Sequence, residues 1–183
     1  MTGLDIDHIA GRITSVFPDA VRDQVSFRGQ VTMIVDKTYI VALMLFLRNE
    51  PDLEFSHLAD LCGIDLGTGH EPRFGVVYNL YSVRHRHRIR LRAEVSGDEC
   101  SIESVVALWD GAKCHERECY DMFGIVFHNH ANLRRVLMPE DWQGFPLRKD
   151  YPTAGPDELW SGYAEVLRKA EDFKKYELRK RNG

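Results

Sequence analysis

Two consecutive β-rich runs within residues 74–95 constrain the fold of this chain more than any other sequence feature. In the second run, apolar residues alternate strictly with charged residues, three of which are arginines. The apolar set is Ile89, Leu91, Ala93 and Val95, and the arginine set is Arg88, Arg90 and Arg92. Successive side chains of a strand point to opposite faces of a sheet, so this run predicts one buried and one charged face. Residues 84–87 between the two runs predict a hairpin turn.

The rest of the chain mixes helical and strand patterns without a regular alternation. A turn at Arg28 and Gly29 predicts a second hairpin, and the segment 55–63 fits either a helix or a strand. Helical spacing predicts helices at 5–16, 37–47, 102–109 and 112–123, the last ending at Gly124. This mixture favours an α+β fold, in which a mixed or antiparallel sheet carries helices on one face and an extended C-terminal arm and a terminal helix follow.

Composition narrows the class of protein. The 183 residues are 44% apolar and 28% charged, as in an ordinary globular protein, and the net charge of −4 gives no overall attraction to nucleic acid. The longest apolar run covers nine residues, 39–47, whereas a membrane-spanning helix needs roughly 20. No export signal is evident, and the four cysteines are scattered. We therefore expect a soluble or peripherally attached protein with reduced thiols.

The segment 128–152 predicts an extended arm rather than a helix or a central strand. Prolines interrupt it, and aromatic residues alternate with charges. We expect it to expose Trp142, Phe145, Leu147 and Tyr151 to a partner protein and to be disordered without one. The alternative is a loop folded back on its own sheet. The predicted division is therefore a core at 1–127, the arm at 128–152 and an amphipathic C-terminal helix at 153–183.

Several patterns near residue 116 resemble active sites but are incomplete. His115, Glu116 and Cys119 come within one residue of the zinc motif HExxH, and Cys114 and Cys119 have the spacing that opens a ferredoxin motif, but Met122 stands where its third cysteine would be. The arginine-rich strand could also contact RNA phosphates. We expect instead an exposed charged helix face and a solvated or partner-facing sheet. A small metalloenzyme using His115, Glu116 and Cys119 remains the alternative.

Residues 116–152 carry a specific family resemblance. They contain ERECYDMFGI, then His130 and Arg134 spaced H-x3-R, then LRRVLMPEDW and PLRKDYP. In order and spacing these segments resemble the C subunit of proton-pumping NADH:quinone oxidoreductase, which is the 30 kDa subunit family of respiratory complex I. The chain departs from the usual family pattern at Cys114, Ala131 and Phe145.

The resemblance implies a non-catalytic scaffold in the quinone module of the complex's peripheral arm. It implies docking to relatives of the D and B subunits and to other peripheral-arm subunits, with no nucleic acid and with membrane contact only through the complex. FMN, the iron–sulfur clusters and the quinone site would belong to partner subunits, and this chain would hold no cofactor. The expected location is the cytoplasmic face of a bacterial or archaeal cell membrane. The equivalent subunit of an F420H2 dehydrogenase or a membrane-bound hydrogenase is an alternative.

The resemblance also implies a set of partner-binding residues and no catalytic or metal-binding ones. Their charged members are expected to fix the docking geometry through charge pairs. The set consists of Glu116, Arg117, Glu118, Asp121, Arg134, Arg135, Trp142, Arg148, Lys149, Asp150 and Tyr151.

Overall fold

The computed structural model describes residues 6–28, 30–153, 162, 165–166 and 168–172. Three helices and seven strands form within these ranges, and a 3-10 turn at Lys37–Tyr39 leads into the second helix. In chain order they are α1 (Ile6–Val16), β1 (Val21–Phe27), β2 (Gln30–Asp36), α2 (Ile40–Asn49), β3 (His57–Asp65), β4 (Phe74–Tyr81), β5 (Arg88–Val95), β6 (Ser101–Glu103), α3 (Ala112–Phe123) and β7 (Val126–His128). Within the described residues, no helix combines the length and the apolar character needed to cross a membrane.

Five of the strands form one mixed sheet in the order β1-β2-β5-β4-β3. Strands β2 and β5 are parallel, and the other neighbours are antiparallel. The register of β4 on β5 runs from Tyr81 opposite Arg88 to Phe74 opposite Val95, so the predicted hairpin is confirmed. The α+β class with a mixed sheet is confirmed as well.

The helices cover the apolar face of this sheet. Along β5, Ile89, Leu91, Ala93 and Val95 are buried, whereas the arginines between them are exposed or half-buried. Buried residues of α1, α2 and α3 join the same hydrophobic core. Because α3 lies close over β3, the ring of Phe123 occupies the space that a side chain at Gly63 would need. The two faces predicted from the alternating run are therefore present.

One predicted element is wrong, and one segment that the sequence left ambiguous is now assigned. The predicted helix at 102–109 is wrong: Ser101–Glu103 is a short strand, and Ile102 lies opposite Phe127 of β7 in a parallel pair. In this pair, the backbone hydrogen-bonding groups of β6 find partners in a strand that is distant in sequence. Helical spacing compares only near neighbours in the chain, so it cannot reveal such a partner. The ambiguous segment 55–63 is a strand from residue 57 onward, because it forms most of β3, which pairs with β4.

The C-terminal region is described only in part. After β7, the arm has no helix or strand up to residue 153, in agreement with its predicted irregular path. The predicted terminal helix at 153–183 falls mostly outside the described residues. Within it, residues 165–166 and 168–172 are helical, whereas residues 153 and 162 lie in turns. The division at residues 127 and 152 stays a prediction.

Helix α3 ends at Gly124, as the sequence predicts. Gly124 has φ 73°, in the left-handed region, and its N–H bonds back to the carbonyl of Tyr120 at 2.9 Å. A Cβ atom at this position would lie 2.5 Å from the Phe145 ring and 2.7 Å from Nη2 of Arg148. Both the backbone conformation and the packing of the arm therefore require glycine here.

We expect Gly124→Ala to lower the free energy of unfolding by about 2 kcal/mol or more, because left-handed strain and the steric clash add. The matched control is Gly11→Ala in the middle of α1, where a Cβ meets no atom within 4 Å. That change should stabilise the chain by about 0.5–1 kcal/mol. Urea denaturation followed by circular dichroism measures both, and equal midpoints for Gly124→Ala and the unmodified chain would contradict the expectation.

Candidate functional site

The carboxylate of Asp121 anchors the arm to the end of α3. Its side chain is fully buried. One oxygen, Oδ2, accepts hydrogen bonds from three successive backbone N–H groups, those of Val136 at 2.9 Å, Leu137 at 2.7 Å and Met138 at 2.9 Å. Burial alone would raise the pKa of Asp121, but these donors and the Arg135 guanidinium outweigh it and hold the pKa below its ordinary value. The ionised carboxylate therefore fixes residues 136–138 of the arm at the end of α3.

Arg135 closes the first part of the arm into a loop. Its Nη1 donates to Oδ1 of Asp121 at 2.7 Å, and its Nη2 donates to the carbonyls of Trp142 at 3.0 Å and Gly144 at 2.9 Å. Arg117 lies on α3 one turn before Asp121, and it donates to the carbonyls of Arg134 and Arg135 at 3.1 and 2.8 Å. Two guanidinium groups thus satisfy four backbone carbonyls of the arm and tie them to the helix.

Arg148 caps the C-terminal end of α3. The last carbonyls of a helix lack partners within the helix. Here the carbonyl of Phe123 accepts from Nε of Arg148 at 2.6 Å, and that of Met122 accepts from the N–H of Leu147 at 3.1 Å. The Arg148 guanidinium lies between two rings, 4.9 Å from the centroid of Phe74 and 4.7 Å from that of Phe145. The arm therefore completes the helix end.

A chain of alternating charges holds the end of the arm at the sheet. Nη2 of Arg73 lies 2.9 Å from Oδ2 of Asp65 and 2.7 Å from Oδ1 of Asp150. The N–H of Lys149 also donates to Oδ2 of Asp65 at 2.8 Å. The hydrogen bonds from Arg73 lower the pKa of both carboxyl groups, so they stay ionised near neutral pH.

Glu116 is buried without a charged partner. It is 0% exposed, and its two oxygens accept from the Ser104 hydroxyl at 2.6 Å and the Val105 N–H at 2.7 Å. Burial raises the pKa of Glu116 to about 7, although both hydrogen bonds act in the opposite direction. The neighbouring Tyr78 hydroxyl is also buried and has no hydrogen-bond partner within the described residues. Glu116 therefore joins α3 to the segment after β6 instead of facing a partner.

The remaining predicted partner-binding residues lie at the surface of the arm or of α3. The side chains of Glu118, Arg134 and Lys149 are exposed and make no ion pair within the described part of the chain. Trp142 is half-buried, and the Tyr151 hydroxyl donates to the Gln143 carbonyl at 3.1 Å. Within the described residues, the charged members that form ion pairs are Asp121 with Arg135 and Asp150 with Arg73. That the charged members fix a docking geometry through charge pairs stays a prediction.

The structure folds the arm back onto its own domain, which agrees with the alternative expectation for this segment. The expectation that the arm exposes all four of its apolar anchors is wrong for Trp142, Phe145 and Tyr151, which are half-buried. Phe145 packs edge-on against Tyr120, with ring centroids 6.4 Å apart. The outward face of the arm still carries exposed apolar side chains, those of Val136, Leu137 and Leu147.

The geometry does not favour a metal site at His115, Glu116 and Cys119. Both oxygens of Glu116 are engaged by protein donors, and Nδ1 of His115 lies 3.8 Å from Asp60 on β3. Burial raises the pKa of the Cys119 thiol, so it is not a ready thiolate ligand. Within the described ranges, no group of three or more His, Cys, Asp or Glu side chains has an arrangement that could hold a metal ion. The expected exposed helix face is confirmed for Glu118 and wrong for Glu116, which is buried.

Comparison with known proteins identifies the family. The family described as "Respiratory-chain NADH dehydrogenase, 30 Kd subunit" matches residues 33–157. A protein of Roseiflexus castenholzii, named as the C subunit of NADH-quinone oxidoreductase, is 48% identical over 156 residues, covering 85% of this chain and 88% of that one. A protein of the same name from Geotalea uraniireducens is 46% identical over 146 residues, covering 80% and 87%. The chain belongs to this family of respiratory-chain subunits.

Solved structures agree with this assignment. A structure described as Nqo5, trypsin-resistant fragment (1-134), is 27% identical, with a TM-score of 0.59 over 70% of this chain and 98% of that one. A chain of an archaeal membrane-bound sulfane sulfur reductase has a TM-score of 0.64 over 90% of this chain and 91% of that one. Since it is 18% identical, it supports the fold alone.

Sequence reasoning missed several residues that hold the arm. Asp65, Arg73 and Phe74 are distant from the arm in sequence, and no local pattern marks them as its partners. Phe145 departs from the family pattern, yet its ring contacts Arg148 and covers Gly124. The one local signal is Gly124 itself, because a helix-ending glycine indicates a backbone that something approaches closely.

We expect the burial of Glu116 to make the chain less stable as pH rises from about 4.5 to 7. The folded state retains the Glu116 proton up to a pKa of about 7, whereas the unfolded chain loses it near 4.5. The free energy of unfolding therefore falls over this window by about 3 kcal/mol. Glu116→Gln, which cannot ionise, should remove that part of the slope.

The matched control for this prediction is Glu118→Gln, an exposed carboxylate on the same helix. Chemical denaturation at a series of pH values between about 4 and 8 gives the slope for each variant. The slope of Glu118→Gln should equal that of the unmodified chain. A Glu116→Gln slope that also equals it would show that Glu116 does not titrate in this range.

Proposed function

We propose that this chain is a non-catalytic scaffold within a proton-translocating NADH:quinone oxidoreductase. It would sit in the quinone module of the complex's peripheral arm and hold relatives of the D and B subunits in place. Membership in the 30 kDa subunit family and the relatives named as the C subunit of NADH-quinone oxidoreductase support the parent enzyme. The docking role rests on the geometry of the arm at 128–152.

The outward face of the arm is the observation that carries this proposal. On its inner side, the arm is held by Asp121, Arg148 and the Asp65–Arg73–Asp150 chain. On its outer side, Leu137 is 61% exposed and Leu147 54% exposed. A rigid backbone that presents apolar side chains loses little entropy on binding, which is the property of a docking surface. We infer that these side chains contact the relative of the D subunit.

The chemistry of the complex is assigned to the partner proteins. Glu116, the carboxylate of the candidate metal site, accepts a hydrogen bond from Ser104. Asp121 and Arg135 bond to each other, and Asp121 also accepts from the backbone of the arm. We propose that FMN, the iron–sulfur clusters and the quinone site all lie outside this chain. Attachment at the cytoplasmic face of the cell membrane, through the complex only, is part of the same proposal.

A related parent complex is the competing function. An F420H2 dehydrogenase or a membrane-bound hydrogenase would use the same fold, and the archaeal sulfane sulfur reductase complex contains a chain of that fold. This likeness carries no information on the electron donor. The names of the relatives therefore favour NADH and quinone.

We expect Leu137→Asp combined with Leu147→Asp to reduce co-purification of the D-subunit relative at least tenfold. The two carboxylates would have to be desolvated in an otherwise apolar contact. The variant is expressed in its host with an affinity tag on this chain, and the partner proteins are quantified by mass spectrometry. Because both leucines point outward, the thermal midpoint of the isolated chain should change little.

The matched control is Leu45→Asp, an exposed leucine on α2 that is remote in sequence from the arm. It introduces the same charge without touching the proposed docking surface, so co-purification should be unchanged. An undiminished yield of the D-subunit relative with the double arm variant would contradict the proposed function.

A further inference from the structure

A second surface lies at the opposite end of the sheet from the arm. There, a cavity of about 590 Å³ opens between the beginnings of β2, β3 and β5 and the end of β4. The polar side chains that line it are Gln30, His57, Asn79, Tyr81, Arg88 and Arg90. Strand β4 runs from Phe74 beside the arm to Tyr81 at this cavity, a span of about 24 Å. The cavity and the arm are therefore separate surfaces.

The guanidinium of Arg90 is oriented but not neutralised. Its Nε donates to the Asn79 side-chain oxygen at 3.0 Å, and its Nη2 donates to that of Gln30 at 2.9 Å. Both acceptors are neutral amides, so the full positive charge remains, and Nη1 is not used by a described hydrogen bond. The group is thus fixed in position with donor capacity left for a ligand.

Arg88 adds a second free charge on the same face. Its guanidinium lies over the ring of Tyr81, 5.4 Å from the ring centroid. Within the described residues, no carboxylate pairs with Arg88 or Arg90. By contrast, Arg92 of the same strand bonds to Glu94 at 3.2 Å, and Arg84 in the preceding turn bonds to Glu54 at 3.0 Å. The two cavity arginines therefore lack the carboxylate partner that each of these two has.

Asp60 is connected to Arg90 only through the Asn79 side chain. It accepts from the Asn79 amide at 3.5 Å and lies 3.8 Å from the His115 ring. Asp60 does not line the cavity and forms no ion pair with Arg88 or Arg90, so it does not neutralise either guanidinium. His57, at the start of edge strand β3, adds a further hydrogen-bonding group to the lining.

The spacing of the two arginines matches an extended acidic segment. Residues i and i+2 of a strand lie on one face, about 6.8 Å apart, and carboxylates at alternate positions of an extended peptide have the same separation. We propose that this cavity binds two alternating carboxylates from an extended, acidic segment of another protein of the complex. Each would pair with one guanidinium, a geometry that arginine favours. The chain would then contact the complex at two ends of its sheet.

A protein segment explains the cavity better than a small anion does. A volume of about 590 Å³ accommodates several side chains, far more than one inorganic ion requires. The chain also belongs to a family of subunits of a multi-subunit enzyme, so partner chains are available. The inference rests on the proposed function only in that the chain works inside a complex, because it does not depend on what contacts the arm.

Carbodiimide cross-linking of the intact complex tests this inference. The reagent joins an amine to a carboxylate in direct contact, with loss of water. We expect Arg90→Lys and Arg88→Lys each to give a cross-link to an Asp or Glu of another protein of the complex, at least tenfold above the unmodified complex. Arg92→Lys is the matched control on the same strand face, and it should link within the chain to Glu94. A link from position 88 or 90 only to Asp60 of the same chain, or no link at all, would overturn the inference.

Arginine footprinting with phenylglyoxal tests the same site without substitutions. Arg88 and Arg90 should react in the isolated chain and react at least tenfold more slowly in the desalted complex, whereas Arg22 on β1 should react similarly in both. Equal rates for Arg88 and Arg90 in the two samples would overturn the inference, as would protection that desalting removes, because the occupant would then be a small anion. If the double leucine variant of the arm leaves co-purification unchanged, the proposed docking through the arm is contradicted. The protection of Arg88 and Arg90 does not depend on that outcome.

Discussion

The hydrogen bonds of the buried Asp121 carboxylate are the interaction on which the placement of the arm depends. The carboxylate lies near the end of α3, where it accepts hydrogen bonds from three consecutive backbone N–H groups and from one guanidinium. A buried carboxylate is stable only when hydrogen-bond donors replace the water it has lost. The donors all come from residues 135–138, so burial of Asp121 and placement of the arm require each other. The path of the chain beyond Met138 follows from this contact.

This mutual requirement explains why the region contains so many charged residues: several of them bond to groups of the same chain and hold its fold together. Arg117, Arg135 and Arg148 donate to backbone carbonyls of the arm and of α3, which an irregular segment and a helix end leave unsatisfied. These charges therefore act inside one chain. Outside, the arm exposes Leu137 and Leu147, and the far end of the sheet presents Arg88 and Arg90. The proposed scaffold would use these as two separate docking surfaces.

Local signals in the sequence predict the local features. The alternation of β5 predicts its two faces, and the glycine after residue 123 predicts the end of α3, because both depend on neighbours in the chain. Helical spacing gives the wrong element at β6 because its partner β7 follows α3. The contacts of Asp65 and Arg73 with the arm and the burial of Glu116 escape prediction for the same reason: each depends on a residue that only the folded chain brings near. The family resemblance locates the region but does not distinguish charges that face inward from those that face partners.

Hydrogen exchange of three backbone amides shows whether Asp121 anchors the arm. In the isolated chain, the N–H groups of Val136, Leu137 and Met138 all donate to Asp121 and should exchange at least a hundredfold more slowly than in an unstructured peptide. In Asp121→Asn this protection should fall sharply, whereas Glu118→Gln should leave it intact. If these three amides of the unmodified chain exchange at the rate of an unstructured peptide, Asp121 does not anchor the arm and the account is wrong.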